Sequence, residues 1–159
     1  MATIQNQIEI IAPIERVFEY YTNPDNIKES WPRDIVKESE NVSGQKSEEG
    51  SEMKITGEYM GKKDEMTLEV VQKEQNKRLV TKQTKEGPFQ RWESVQEFQS
   101  SGNGNTTTTT TTLVNHTINY ELPTTGKIAN VLTGSQAENK IRQGREQAAQ
   151  TVKQRLEFA

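Results

Sequence analysis

The sequence predicts an α+β fold in which one long C-terminal helix lies across the concave face of a curved antiparallel sheet of about seven strands, with two short helices after strand 1. Two observations predict it. Segments that alternate apolar and polar residues follow one another from Asp34 to Leu122, at spacings too short for the crossover connections of a parallel sheet. After Pro123 the apolar residues recur every three to four positions, which is the period of a helix. We expect residues 1–159 to form one domain.

The opening strand and the two short helices are defined by apolar periodicity and by prolines. Thr3–Ile11 alternates apolar with polar residues, which predicts a half-buried strand. An apolar helical stripe then runs as far as Tyr21, and Asn23-Pro24 ends it, because a residue before proline avoids the helical conformation. A second short helix, about Asp25–Trp31, ends against Pro32 for the same reason.

The central strands are separated by residues that favour turns. The breaks fall at Ser43-Gly44, Gly61-Lys62-Lys63, Gln75-Asn76-Lys77, Gly87-Pro88 and Gly102-Asn103-Gly104-Asn105. The last break leads into a run of threonines, Thr106–Thr112. Because threonine is β-branched and favours strands, we predict one long final strand over Thr106–Leu122.

The C-terminal helix is predicted from apolar and small residues that recur between Ile128 and Leu156. At about 1.5 Å of rise per residue, such a helix would span most of a small domain. Gly134-Ser135 either kinks the helix or marks its start. Gly144, together with nearby alanines, would allow close approach to the sheet.

Composition excludes several classes of protein. Cysteine is absent, so there is neither a disulfide framework nor thiol chemistry, and a single histidine leaves only carboxylates as further metal ligands. We therefore expect no metal and no cofactor. A net charge of −3 and a pI of about 5.4 argue against a nucleic-acid binder. No signal-peptide pattern and no long apolar run occur, which predicts a cytoplasmic protein without stable membrane insertion.

Several local motifs resemble those of one superfamily. They are the opening Ile8–Phe18, the Thr22–Asn26 break, Trp31-Pro32 at the end of the second helix, and Tyr120–Pro123 before the long helix. The sequence resembles the START/SRPBCC (helix-grip) superfamily and, within it, the bacterial polyketide cyclase/dehydrase branch. This resemblance covers nearly the whole chain and implies a cavity between the helix and the concave sheet face. Its motifs are those of a fold: none is a catalytic signature, and the phosphate-loop-like glycine cluster of the plant pollen-allergen relatives is missing.

The inward alternation independently predicts which side chains line that cavity. The candidates are Met53, Ile55, Tyr59, Met66, Leu68, Trp92, Ser94, Gln96, Phe98, His116, Tyr120 and Ile141. Most are apolar or aromatic, as in small-molecule pockets, and Ser94, Gln96 and Thr110 would supply polar contacts. The alternative is that these residues simply fill the core. A hydrophobic fraction of only 30% favours an interior that is not completely filled.

Two further features allow more than one interpretation. His116 is either a general acid/base or ligand hydrogen-bond donor, or an interior histidine satisfied by a polar neighbour. The C-terminal helix has a basic bias, which is either a membrane- or partner-docking face or a complement to the helix dipole. The basic residues are Lys140, Arg142, Arg145, Lys153 and Arg155.

Three functional hypotheses follow. The favoured one is a non-catalytic carrier or sensor of a small hydrophobic ligand (a lipid, an isoprenoid or an aromatic polyketide-like molecule), because the predicted lining contains almost no titratable groups. Trp31–Pro32 and Gly87-Pro88 would form the entrance. The second is a cyclase/dehydrase-type enzyme acting on a polyketide-like substrate, with His116 or Tyr59 as weak candidates for proton transfer. The third is a protein-interaction module with an unknown partner.

Overall fold

A computed structural model of the protein describes residues 2–45, 48–59, 62–101, 110–123 and 134–158, with only the backbone for residues 59, 62 and 134. Within these ranges the strands are β1 Ala2–Ile10, β2 Val36–Ser43, β3 Glu52–Tyr59, β4 Lys62–Glu74, β5 Arg78–Gln83, β6 Arg91–Ser101 and β7 Thr111–Glu121. All pairings are antiparallel, and the order across the sheet is β1-β7-β6-β5-β4-β3-β2. The predicted meander is therefore confirmed, with β1 and β2 at the two edges.

Three helices complete the described fold: α1 Ile14–Thr22, α2 Asp25–Ser30 and α3 Gly134–Glu157. The two short helices follow β1 and end where the prolines predict, with Trp31 already in an extended conformation. The long helix packs over the curved sheet, so the predicted fold class is confirmed. Its buried apolar and small residues are Ala137, Ile141, Ala148, Ala149, Val152 and Leu156.

Two polar contacts tie the end of α3 to the edge of the sheet. The Glu157 carboxylate accepts a hydrogen bond from the Ile11 backbone N–H at 2.9 Å and lies 2.5 Å from Lys153 Nζ. Lys153 in turn donates to the Glu9 carbonyl at 2.7 Å. Because both residues reach out of the helix to the β1 segment, they fix the position of α3 across the sheet.

The described part of the final strand begins later in the threonine run than predicted. Strand β7 begins at Thr111, and residues 106–109 lie outside the described part of the chain. The inward position predicted for Thr110 is wrong, because this residue precedes the strand and is exposed. Thr112 takes the buried place instead, and its hydroxyl donates to the Ala12 carbonyl at 2.8 Å. The apolar residues predicted to open the long helix, Ile128–Leu132, also lie outside the described ranges.

Two glycines permit close approach of the segment between α2 and β2. A Cβ on Gly57 would lie 1.7 Å from the Ile35 carbonyl oxygen, which is the acceptor for the Glu58 N–H. A Cβ on Gly144 would lie 2.7 Å from Ile35 Cδ1 and 2.8 Å from Trp31 Cζ3. Gly144 therefore allows close packing, as predicted, but the partner is this segment rather than a strand. The consequence is that Trp31 lies directly against α3.

Candidate functional site

The fold leaves a partly open cavity of about 110 Å³ between the three helices and the inner face of the sheet. Its lining includes residues from every helix and from strands β2 to β7. The predicted ligand-binding residues that line it are Met53, Ile55, Met66, Leu68, Trp92, Ser94, Gln96, His116 and Ile141. The inward alternation read from the sequence thus brings these side chains together around one space.

Two predicted residues are buried beside the cavity without lining it. Phe98 packs edge-on against Phe18 and Tyr21, with ring centroids 5.0 and 5.5 Å away. Tyr120 lies behind Phe89 and Trp92, with centroids 5.9 and 6.3 Å away. Both belong to the core that supports the lining. The side chain of Tyr59 lies outside the described part of the structure.

Several lining residues were missed by the sequence analysis. Many of them come from α1, α2 and the turn before β6, which the sequence marks only as elements covering the sheet. They are Tyr20, Tyr21, Asn23, Asn26, Ile27, Ser30, Ile35, Val36, Leu79, Thr81, Phe89, Ile118, Arg145 and Val152, while Trp31, predicted only at the entrance, also lines the cavity. The apolar stripe of α1 was a signal for Tyr21, but nothing in the sequence shows which of these elements face the same space.

Local contacts hold the two aromatic residues at the predicted entrance. The Ser39 hydroxyl donates to the Pro24 carbonyl at 2.5 Å and accepts from the Lys28 N–H at 3.2 Å, which ties α2, and with it Trp31, to β2. On the other side, the Gln83 side-chain amide donates to the Phe89 carbonyl at 2.7 Å across the turn at Gly87-Pro88. The predicted entrance segments therefore each contribute an aromatic side chain to the lining.

His116 is only partly satisfied by its surroundings. Its Nε2 lies 2.6 Å from the Ser94 hydroxyl, a diagonal neighbour on β6, whereas Gln96 is its direct partner across the strands. Its Nδ1 is buried and has no hydrogen-bond partner. Burial, together with the nearby positive charge of Arg145, holds the pKa of the imidazole well below 6.5. His116 is therefore neutral at neutral pH, and one of its nitrogens has no hydrogen-bond partner.

Arg145 places a positive charge inside the protein. The residue is only 3% exposed and lines the cavity, with its guanidinium carbon 5.3 Å from the centroid of the Trp31 ring. In the described ranges no carboxylate lies within ion-pair distance of this guanidinium, and its Nε has no hydrogen-bond partner. Burial lowers the pKa of Arg145, an effect that Tyr21 opposes.

The position of Arg145 corrects two expectations. The lining was expected to contain almost no titratable groups, but it includes a buried arginine. The same residue cannot belong to a basic docking face on α3, because it points inward. Its basic neighbours Arg142, Lys153 and Arg155 form ion pairs with Glu138, Glu157 and Glu29 respectively.

Tyr21 completes a polar cluster with Arg145 and His116. Burial raises the pKa of the Tyr21 hydroxyl, and the charge of Arg145 opposes this effect. The Tyr21 hydroxyl and the Arg145 guanidinium lie close enough to interact, but the hydroxyl has no hydrogen-bond partner of good geometry. The indole Nε1 of Trp92 is likewise buried without a partner. Buried polar groups are normally hydrogen-bonded, and it is unusual for several residues that line one cavity to have polar atoms without partners.

Other kinds of site find less support. Among the described residues, no group of three or more histidine, aspartate or glutamate side chains is arranged to hold a metal ion. None of the helices, as far as the structure describes them, combines the length and the apolar character needed to cross a membrane.

Comparison with known proteins identifies the family. Residues 1–157 match the model of a family described as polyketide cyclase/dehydrase and lipid transport. The fold matches a START superfamily protein from Mycobacterium smegmatis (TM-score 0.75, 15% identity) and a protein from Thermus thermophilus (TM-score 0.76, 22% identity). It also matches major latex-like protein 151 from Panax ginseng (TM-score 0.69, 14% identity). Each comparison covers 98% of this chain and 97% of the other.

No curated protein matches the sequence. The family match nevertheless extends over nearly the whole chain, and the structural matches agree with it in fold. The chain therefore belongs to the polyketide cyclase/dehydrase and lipid transport family, and it shares its fold with a START superfamily protein.

Proposed function

We propose that the protein binds a small, largely apolar molecule in this cavity, as a non-catalytic carrier or sensor. The observation that carries the proposal is the cavity itself, whose walls are mainly aliphatic and aromatic side chains of the helices and the inner sheet face. Binding would be driven by burial of apolar ligand surface, at about 25 cal/mol per Å². The family to which the chain belongs supports the same class of ligand.

The size of the cavity indicates which of the candidate ligands would fit with the least rearrangement. Its volume of about 110 Å³ is below the roughly 300–1,000 Å³ of most ligand pockets. It is closer to an engineered cavity of about 150 Å³ that binds benzene in another protein. A molecule with one aromatic ring would therefore need little rearrangement. A lipid, isoprenoid or larger polyketide-like ligand would have to displace lining side chains, and we propose Trp31 and Phe89 at the entrance as those that move.

The chain offers a built-in readout for ligand binding. Trp31 and Trp92 are its two tryptophans, and both line the cavity. Titration with 3-phenyl-1-propanol should produce a saturable change in tryptophan fluorescence. Native mass spectrometry of freshly purified protein, compared with the denatured sample, should reveal any small molecule that co-purifies. Absence of both signals, together with a stoichiometric protein partner in a pull-down, would replace this proposal with that of an interaction module.

A second candidate function is proton transfer of the cyclase/dehydrase kind. It is favoured by His116, which lines the cavity, has an unpartnered Nδ1 and contacts Ser94 through its other nitrogen. The lowered pKa of His116 makes it a weak base and argues for the carrier function instead. Turnover of an identified substrate that is unaffected by His116→Gln would remove this residue from any reaction.

The acidic pI of about 5.4 supports a function without nucleic acid. Action in the cytoplasm stays a prediction.

A further inference from the structure

The cavity contains a positive charge that the described residues do not neutralise. Arg145 is buried, no carboxylate among the described residues forms an ion pair with it, and its Nε has no hydrogen-bond partner; the neutral Tyr21 hydroxyl is the polar group that interacts with it. The cation–π contact with the Trp31 ring stabilises the guanidinium much less than its removal from water destabilises it. A buried charge without a counter-ion destabilises the folded protein. Its presence here therefore indicates that the charge has a function.

We propose that the ligand of this cavity is an apolar carboxylic acid and that Arg145 binds its carboxylate. This inference rests on the proposed function and adds a chemical class to it. A guanidinium presents planar N–H donors in a fork that matches the two oxygens of a carboxylate. Arg145 lines the cavity beside the Trp31 ring, so a carboxylate in the cavity would meet its side chain there.

Two neutral donors lie in the same lining and would complete the site. The Tyr21 hydroxyl is buried without a partner and faces Arg145. In the tautomer in which the Ser94 hydroxyl donates to His116 Nε2, the unpartnered Nδ1–H of His116 is also a donor. A carboxylate has enough lone pairs to accept from Arg145, Tyr21 and His116 together. We therefore expect the carboxylate to accept from Arg145 and from one or both of these donors.

Other ligand classes fit the site less well. A neutral alcohol would leave the positive charge of Arg145 without a counter-ion, and an amine would be repelled by it. Inorganic phosphate has no apolar part to cover walls such as Met53, Ile55 and Leu68. A carboxylate occupies three heavy atoms, which leaves room in about 110 Å³ for a single ring or a short branched chain. The observations therefore favour a small aromatic or branched acid.

The test compares three ligands that differ only in their head group: 3-phenylpropionate, 3-phenyl-1-propanol and 3-phenylpropylamine. Their affinities for the wild-type protein are measured at neutral pH by tryptophan fluorescence and by calorimetry. We expect the acid to bind at least about tenfold more tightly than the alcohol, and the amine to bind most weakly, because hydrogen bonds to charged groups are the stronger ones.

Two variants of α3 test whether the preference for the acid depends on Arg145. Arg145→Met should reduce acid affinity about tenfold or more while changing alcohol affinity less than about threefold. Arg142→Met makes the same substitution, with the same change in net charge, at a residue that is paired with Glu138 and does not line the cavity. It should bind all three ligands as the wild type does.

The outcomes separate the two proposals. If the wild type binds the alcohol as tightly as the acid, the carboxylate inference is overturned and the proposed function stands. The same holds if Arg145→Met and Arg142→Met bind the acid equally well. If none of the three ligands saturates and no small molecule co-purifies, the proposed function fails, and the inference fails with it. The comparison of ligands on the wild type decides the question even if a variant does not fold.

Discussion

The guanidinium of Arg145 lies over the Trp31 ring, 5.3 Å from its centroid, and both side chains line the cavity. The contact depends on the neighbouring Gly144, because a Cβ at that position would meet the same indole ring at 2.8 Å. One turn of α3 therefore determines both the position of the buried charge and the position of the aromatic residue beside it. Substitutions at Arg145 and at Gly144 should therefore each change the stability of the protein.

Replacement of Arg145 by methionine should stabilise the unliganded protein. A buried charge without a counter-ion opposes folding by more than its cation–π contact contributes, and methionine fills similar space. We expect a gain of about 1 kcal/mol or more in the free energy of unfolding, which corresponds to about 2–4 °C per kcal/mol for a chain of this size. Thermal unfolding followed by circular dichroism measures it, with Arg142→Met as control. A melting temperature below that of the control would contradict the interpretation of Arg145 as an unpaired charge.

Gly144→Ala should destabilise the protein, although alanine is the better helix former by about 1 kcal/mol. The new Cβ would overlap Trp31 and Ile35, and overpacking typically costs about 1–3 kcal/mol. We expect a net loss of about 1 kcal/mol, measured by denaturant unfolding, and a shift of the tryptophan emission as Trp31 moves. Gln150→Ala, at an exposed position of the same helix, is the matched control and should show neither effect. A Gly144→Ala variant with increased stability and unchanged emission would disprove the close contact.

Stability should fall as the pH decreases below about 6.5, because of His116. Its folded-state pKa lies well below the unfolded value, since burial and the charge of Arg145 disfavour the imidazolium. Its direct cross-strand partners are Asn6 on β1 and Gln96 on β6, and Ser94 and Arg145 also interact with it; none of these residues is a carboxylate. In this pH range the unfolded chain binds a proton that the folded protein does not bind. The slope approaches about 1.4 kcal/mol per pH unit for one proton.

His116 is the only histidine in the chain, so this contribution can be isolated by one substitution. The stability of His116→Gln should lack the slope between about pH 6.5 and pH 5.5, and the contributions of the carboxylates, which are the same in both proteins, should cancel in the comparison. The difference between the two unfolding curves is the measurement. An imidazole NMR signal that titrates near pH 6.5 in the folded protein would refute the prediction.

Glu157→Gln should loosen the attachment of α3 to the sheet edge. The carboxylate accepts from the Ile11 N–H and lies against Lys153, so the substitution weakens a charge-assisted contact and leaves Lys153 without its ion-pair partner. We expect a loss of about 1 kcal/mol and faster exchange of the Ile11 amide hydrogen. Glu138→Gln breaks an ion pair that lies entirely within α3, and it should cost only about 0.3–0.5 kcal/mol. Equal losses in the two variants would show that Glu157 has no such anchoring role.

Part of the candidate site could be read from the sequence because alternation assigns a residue to one face of a strand. Met53, Ile55 and Met66 were placed inward in this way, and they line the cavity. Alternation does not say where along the strand the cavity lies. Phe98 shares an inward face with Ser94, but Phe18 and Tyr21 pack over it and the cavity ends before it. The position of α1 over the sheet decides this difference, and it is a tertiary contact.

By itself, the sequence determined the type and order of the elements, the faces of the strands and the family, because apolar period, proline and turn residues act over short distances. Only the tertiary structure decided the environment of the polar residues. Arg145 already fell on the apolar stripe of its helix with Ile141 and Ala148, yet its charge favoured a place at the surface. Burial, the ring of Trp31 and the absence of a carboxylate nearby in the described structure depend on how distant segments pack, and no local pattern records them.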